Sequence, residues 1–146
     1  MRNAFTMIEL IFVIVVLGIL AAIAIPKLSA TRTDAEISKG RADISTIRSA
    51  IVTERQSRLI KGDSAWITKL SQNGTTLFDG NGTMELLMYG IAAGRWQATD
   101  TTYKNYTYRV QSTSVAFTYD DSTGKFTCST TTGTTAQKAM CAKLIN

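Results

Sequence analysis

A single carboxylate, Glu9, stands at the front of an apolar run, in the string Ala4-Phe5-Thr6-Met7-Ile8-Glu9-Leu10, and residues 10–25 carry no charge. An ionised group at membrane depth costs roughly 2.5–3.5 kcal/mol or more, so this carboxylate needs a positive partner. No basic residue follows until Lys27, eighteen positions on. Along a helix that is roughly 27 Å, too far for an ion pair. The partner must come from another molecule or from a newly made chain terminus, and the chemistry implied is that of assembly.

Other reactive groups are sparse. The chain has no histidine, which removes the commonest general base, proton shuttle and metal ligand together. Its two cysteines, Cys128 and Cys141, lie close together near the C-terminus. An even count in a chain that reads as exported implies one disulfide. Two cysteines without histidine do not complete a tetrahedral zinc site unless carboxylates or a second chain contribute. The adjacent acids Asp120 and Asp121 are a poor catalytic dyad, because neighbours on a strand or turn point apart. An enzyme tethered by an uncleaved helix therefore has neither histidine nor a nucleophile motif in its favour.

The elements that position these groups follow from the hydrophobic pattern. Residues 5–26 are long enough to cross a bilayer as a helix. The alternative, a cleaved secretory signal, has Arg2 and the small-residue string Ala22-Ile23-Ala24 in its favour. Against it stand Glu9 and a helical pattern that continues beyond Pro26. That proline cannot donate to the carbonyl of Ala22 and should loosen the helix there. Gly18, Ala21 and Ala22 put small side chains where a neighbouring helix could approach closely in lipid.

Residues 27–61 read as an amphipathic helix that continues the first into one rod of roughly 85 Å. Ile37, Ile44, Ile47 and Ile51 form its apolar stripe, with Leu59 or Ile60 continuing it. Gly62 is a natural stop. Eight Lys or Arg face four Asp or Glu over this stretch, which carries most of the chain's +5 charge.

Residues 62–146 read as a globular head. Short helices are expected over residues 65–70, capped by Asp63 or Ser64, and 84–88. The period then changes to two: Tyr106, Tyr108 and Val110, then Val115, Phe117 and Tyr119, alternate with polar residues, and residues 125–129 repeat the theme. With Asp120-Asp121-Ser122-Thr123-Gly124 as a hairpin connection, an antiparallel sheet of three or four strands is expected. Residues 130–135 read as a polar loop stapled by the cysteine pair, with room for a turn of helix over residues 137–144. The fold class is α+β: a long N-terminal helix packed on a small antiparallel sheet.

The string from Ala4 to Leu10, the apolar run, Gly18 and Ile25-Pro26-Lys27 together closely resemble the N-terminal signature of type IV prepilins and of the pseudopilins of type II secretion systems. The resemblance covers about the first 30 residues strongly and the helix-then-sheet order weakly. It implies that a prepilin peptidase removes residues 1–4 and methylates the new amine of Phe5. The family usually carries Gly before the cut, where this chain has Ala4. The resemblance also implies that Glu9 neutralises the Phe5 amine of an adjoining subunit, and that the helix between Gly18 and Pro26 can loosen inside filaments. Cys128 and Cys141 resemble the C-terminal disulfide loop of many pilins, whereas Pro26-Lys27 looks more like the pseudopilin version.

The partners implied are further copies of the chain, related minor pilins or pseudopilins, the prepilin peptidase, an inner-membrane assembly platform, and membrane lipid before assembly. The head would be periplasmic, on a single-pass inner-membrane helix, before the filament forms in the periplasm or outside the cell. No cofactor is expected. Major pseudopilins often hold calcium in an acidic C-terminal loop, and Asp120-Asp121 invites that comparison, but a turn needs no metal.

Two alternatives come from other classes. One is a membrane-anchored exported domain that does not polymerise. The other is a competence-type pilin binding DNA through Arg32, Arg41, Arg48, Arg55 and Arg58. For these arginines a solvated helix face, paired with Asp34, Glu36, Asp43 and Glu54, is the simpler reading. Asn73, Asn81 and Asn105 each begin a glycosylation triplet, of a kind that arises readily in a Thr-rich chain.

Overall fold

The computed structural model describes residues 5–146. One helix, α1 (Met7–Ile60), is followed by six strands and a second helix, giving the α+β arrangement expected. The strands are β1 (Thr76–Leu77), β2 (Ile91–Ala92), β3 (Trp96–Ala98), β4 (Asn105–Val110), β5 (Thr113–Asp120) and β6 (Lys125–Cys128), and the second helix is α2 (Thr135–Ile145). Two compact units result, one ending at Ala35 and one spanning Glu36–Asn146.

In the first unit α1 continues as helix through Pro26, and the described apolar side chains before that residue are exposed. The second unit contains the core. Strands β3, β4, β5 and β6 form an antiparallel meander in that order, and β1 pairs with β2 in a separate two-stranded ladder. Alternation decides the buried face: Tyr106, Tyr108 and Val110 of β4 and Val115, Phe117 and Tyr119 of β5 are all buried, as a period of two requires. Onto this face α1 lays Ile37, Ile44, Ile47 and Ile51, all of them buried.

The stripe does not continue through Leu59 or Ile60, which are 48% and 88% exposed. Three and seven residues past Ile51, helical periodicity brings Glu54 and Arg58 to the same face, and both are only 8% exposed. Charged residues thus occupy positions where the sequence pattern suggested apolar ones. The helix ends as expected: Gly62, at φ +84°, donates to the carbonyl of Leu59, and the next amide, of Asp63, donates to Arg58, a Schellman closure.

Neither short helix expected in the head forms. Over residues 65–70 the carbonyls are taken by side chains: Arg58 donates to those of Ala65 and Trp66, and the Tyr119 hydroxyl to that of Ile67. A carbonyl pinned by the core is lost to an i+4 ladder. Over residues 84–88 the backbone pairs with residues 78–80 instead, through Leu86 to Asp79 and Leu87 to Phe78. At the C-terminus the reverse holds, since the expected turn of helix is the 11-residue α2. Thr134 caps it, its hydroxyl accepting from the Gln137 amide while the Gln137 side chain accepts from the Thr134 amide, a reciprocal capping box.

The hairpin between β5 and β6 follows the sequence reading. Gly124 sits at φ +70° and donates to the Asp120 carbonyl. A Cβ there would stand 2.3 Å from the Trp66 ring, so glycine is required both by backbone conformation and by close approach.

Candidate functional site

Thr6 sets the start of α1. Its hydroxyl and its carbonyl both accept from the amide of Glu9, at 3.3 and 3.1 Å, and its carbonyl also takes the amide of Leu10 at 3.2 Å. The cap is a Thr-x-x-Glu pattern, legible in the sequence but overlooked there. Glu9 therefore occupies the third helical position, where unpaired amide groups give the helix end a partial positive charge that favours a carboxylate. Its side chain is exposed and makes no ion pair among the described residues.

Phe5 lies immediately before the cap and is 79% exposed. Ala4 lies outside the described residues. From Met7 to Ile25 the helix is long and apolar enough to cross a bilayer, and none of that span is buried within the chain. At Gly18 a Cβ would meet nothing within 4 Å, so no packing among the described residues explains a glycine there. What these positions share is an apolar surface to be covered from outside, with one carboxylate at its rim. Pro26 interrupts the donor pattern without ending the helix.

Apart from Arg32 and Asp34, the remaining predicted residues lie in the unit from Glu36 on. Cys128 at the end of β6 and Cys141 in α2 are bonded to each other, and Cys141 is fully buried. The bond fastens α2 to the sheet edge. In the hairpin, Asp120 accepts from the Ser122 amide and hydroxyl and from the Thr123 hydroxyl. Those bonds, led by the Ser122 side chain, lower its carboxyl to about 2. Asp121 pairs with Lys104 at 2.7 Å. Both carboxylates thus have partners within the head. Among the described residues no group of three or more His, Cys, Asp or Glu is placed to hold a metal ion.

Four arginines of α1, Arg41, Arg48, Arg55 and Arg58, hold their part of the helix to the head. Arg41 donates to the Lys143 carbonyl, Arg48 donates to the Phe126 carbonyl, and the Arg55 guanidinium lies 4.0 Å from the Trp66 ring centre. Arg58 makes the expected pairing with Glu54 at 2.8 Å. Glu36 also reaches the head, taking Arg95 at 2.8 Å, and Asp43 takes the Trp96 indole at 3.0 Å. For Arg41, Arg48, Arg55 and Asp43 the expected helix-face pairing is corrected: a helix laid on a sheet offers its long side chains nearer partners across the interface than along its own surface.

Of the three glycosylation triplets, Asn73 and Asn81 shape turns, each accepting two backbone amides. Asn105 donates its amide nitrogen to Asp100.

Residues 1–25 match the family described as "Prokaryotic N-terminal methylation motif". No curated protein and no solved structure matches the chain. The matched motif is the prepilin signal of type IV pilins and pseudopilins, so the chain carries at its N-terminus the mark of a prepilin-peptidase substrate. With the apolar helix behind it, that signal fits an inner-membrane anchor. Proteins of the pilin type are structural and not catalytic.

Proposed function

We propose that the chain is a structural subunit of a type IV pilus-like filament, cleaved before Phe5, methylated there, and assembled by packing of its N-terminal helix against the same helix of other copies. The observation that carries this reading is the coincidence of the methylation motif over residues 1–25 with a membrane-length span none of which the chain buries. Bilayer lipid covers that span before assembly, and neighbouring helices cover it afterwards. Glu9, beside the helix start, then meets the Phe5 amine of a neighbour, and desolvation strengthens the pair. Gly18 permits close helix approach, and Pro26 leaves the Ala22 carbonyl free of an intrahelical donor. The head is periplasmic while the subunit is anchored and forms the outer surface of the filament.

The DNA-binding alternative is weakened by the docking of Arg41, Arg48, Arg55 and Arg58 onto the head. A phosphate ligand would have to displace contacts that hold the fold.

The deciding experiment is the intact mass and N-terminal sequence of the protein isolated from its own cells. A chain beginning at methylated Phe5 is expected. A start near Ile25 would mean ordinary secretion, and a start at Met1 would mean an anchored domain that never enters a filament. Either overturns the proposal.

A further inference from the structure

Two asparagines of the head are each followed by glycine, Asn73 by Gly74 and Asn81 by Gly82. The nitrogen after an asparagine can attack that residue's own side-chain carbonyl and close a five-membered ring, and a glycine nitrogen has no side chain beside it to obstruct the approach. Such an intramolecular attack is limited by orientation and by the negative charge that develops on the oxygen. The fold treats the two pairs differently.

At Asn73 the side-chain oxygen accepts from the amides of Thr75 and Thr76, both at 2.9 Å. Two backbone donors therefore already face the oxygen on which charge would develop, the arrangement of an oxyanion hole. The side-chain nitrogen donates to nothing among the described residues, so no bond holds the leaving group. The Gly74 amide is likewise without an acceptor, which leaves its proton open to a base in solution. Both residues are exposed, and neither enters a backbone–backbone hydrogen bond, so the chain can turn to close the ring.

Asn81 has the same two acceptor bonds, from Thr83 at 3.1 Å and Met84 at 2.9 Å, but its backbone is clamped. Its amide donates to the Met84 carbonyl, while the neighbouring Gly80 donates to Leu70 and pairs with Glu85 in a β-bridge. Asn81 is half-buried, and a Cβ at Gly82 would stand 3.4 Å from the Gln72 side chain. Ring closure there has to break the loop first.

We infer that Asn73 is a site of spontaneous covalent modification, its side chain closing on the Gly74 nitrogen to a succinimide that water opens to an aspartyl or isoaspartyl residue. In the first step a bond forms between Gly74 N and Asn73 Cγ, the bond from Cγ to Nδ2 breaks, and nitrogen leaves as ammonia with the proton Gly74 gives up. In the second, water adds to one ring carbonyl: attack at Cγ gives the aspartyl chain, attack at the main-chain carbonyl the isoaspartyl one. No oxidant or cofactor enters. The product carries one more negative charge, and it gives up both the Asn73-Gly74-Thr75 glycosylation triplet and the bonds that hold the entry to β1. The inference does not depend on the filament reading.

The test incubates the full chain, in detergent, at mildly alkaline pH in water enriched in oxygen-18. Trypsin releases both Asn-Gly pairs in one peptide, Leu70 to Arg95, so electron-transfer fragmentation assigns the site. Expected is one heavy oxygen at residue 73, as a mixture of aspartyl and isoaspartyl, with conversion at least tenfold faster than at Asn81. In a urea-unfolded sample the two sites should react at similar rates. A Cβ at Gly74 meets nothing within 4 Å, so Gly74→Ala should keep the near-ultraviolet dichroism of the head and slow conversion of Asn73 at least tenfold. Equal rates at the two sites in the folded chain, or Asn81 reacting first, would overturn the inference. So would an Asn73 left intact over a period that converts the unfolded chain, or a conversion indifferent to Gly74→Ala.

Discussion

The hydroxyl of Tyr108, on the sheet, donates to the main-chain carbonyl of Glu36, on α1, at 2.7 Å. One turn along the helix lies Gly40, where a Cβ would stand 2.6 Å from Tyr108 Cε1 and 2.7 Å from Leu144 Cδ2. Helix, sheet and α2 meet at this point. The Leu144 methyl group can move aside, but the Tyr108 ring is tethered by its hydrogen bond. Gly40→Ala should gain about 1 kcal/mol of helix propensity and lose more than that, within the roughly 1–3 kcal/mol typical of overpacking. The expected net change is a fall of several degrees in the melting temperature of the head, followed by near-ultraviolet circular dichroism of the detergent-solubilised chain. A rise would show that the interface is loose enough to take a methyl group.

Removing the disulfide should loosen one end of the head first. The bond between Cys128 and Cys141 spans a sequence separation of 13, for which the chain-entropy argument gives about 3 kcal/mol. An 11-residue helix is too short to persist alone in water, and α2 keeps only its cap and the burial of residues such as Leu144 once the bond is gone. In Cys128→Ala with Cys141→Ala, amide exchange should therefore accelerate across α2 before it does across β4 and β5. Uniform acceleration through the whole head would mean that the bond acts on global stability alone.

How much of this was legible in the sequence depends on which force decided each element. Where burial on one face decides, the pattern spoke plainly: the isoleucine stripe of α1 and the alternation in β4 and β5 fell where expected. Where partners distant in sequence decide, it did not. The carbonyls of Ala65 and Trp66 are claimed by Arg58, a contact no local pattern announces, so a plausible capped helix does not form. The strands β1, β2 and β3 are two or three residues long, too short for a period to register. At the N-terminus the apolar run and Glu9 were plain, yet Thr6 was overlooked although its spacing to Glu9 is a capping pattern. The burial of Glu54 and Arg58 had no sequence signal, since a glutamate four residues before an arginine on a helix ordinarily denotes an exposed pair.

Alkaline pH should unfold the head through its core phenols. Tyr106, Tyr108 and Tyr119 are buried and hydrogen-bonded to the Tyr103, Glu36 and Ile67 carbonyls respectively. Burial raises all three, Tyr108 to about 12 and the others further. An unfolded tyrosine ionises near about 10. Between those values the folded chain keeps protons that the unfolded chain releases, so the stability they contribute is full below about pH 10 and is lost as pH rises through about 12. The phenolate absorbance of these residues should therefore appear together with loss of the near-ultraviolet dichroism. Their smooth ionisation near pH 10 with the dichroism intact would contradict their burial.

Glu9 and Thr6 can be separated by experiment, because one interaction at the helix start uses the Glu9 backbone and the proposed one uses its side chain. The Thr6 hydroxyl accepts from the Glu9 amide, so Glu9→Gln leaves that cap in place and removes only the charge. Thr6→Ala does the reverse, weakening the helix end by about 1 kcal/mol while the carboxylate stays. If the carboxylate pairs with the Phe5 amine of a neighbour, Glu9→Gln should still be cut and methylated at Phe5, yet its assembled fraction should fall at least tenfold. Thr6→Ala should assemble within a few-fold of the natural chain. Filament yield sheared from cells, read beside the mass of the processed subunit, distinguishes the two. Equal losses in both variants would reduce Glu9 to a part of the cap, and normal assembly of Glu9→Gln would remove the charge from the mechanism altogether.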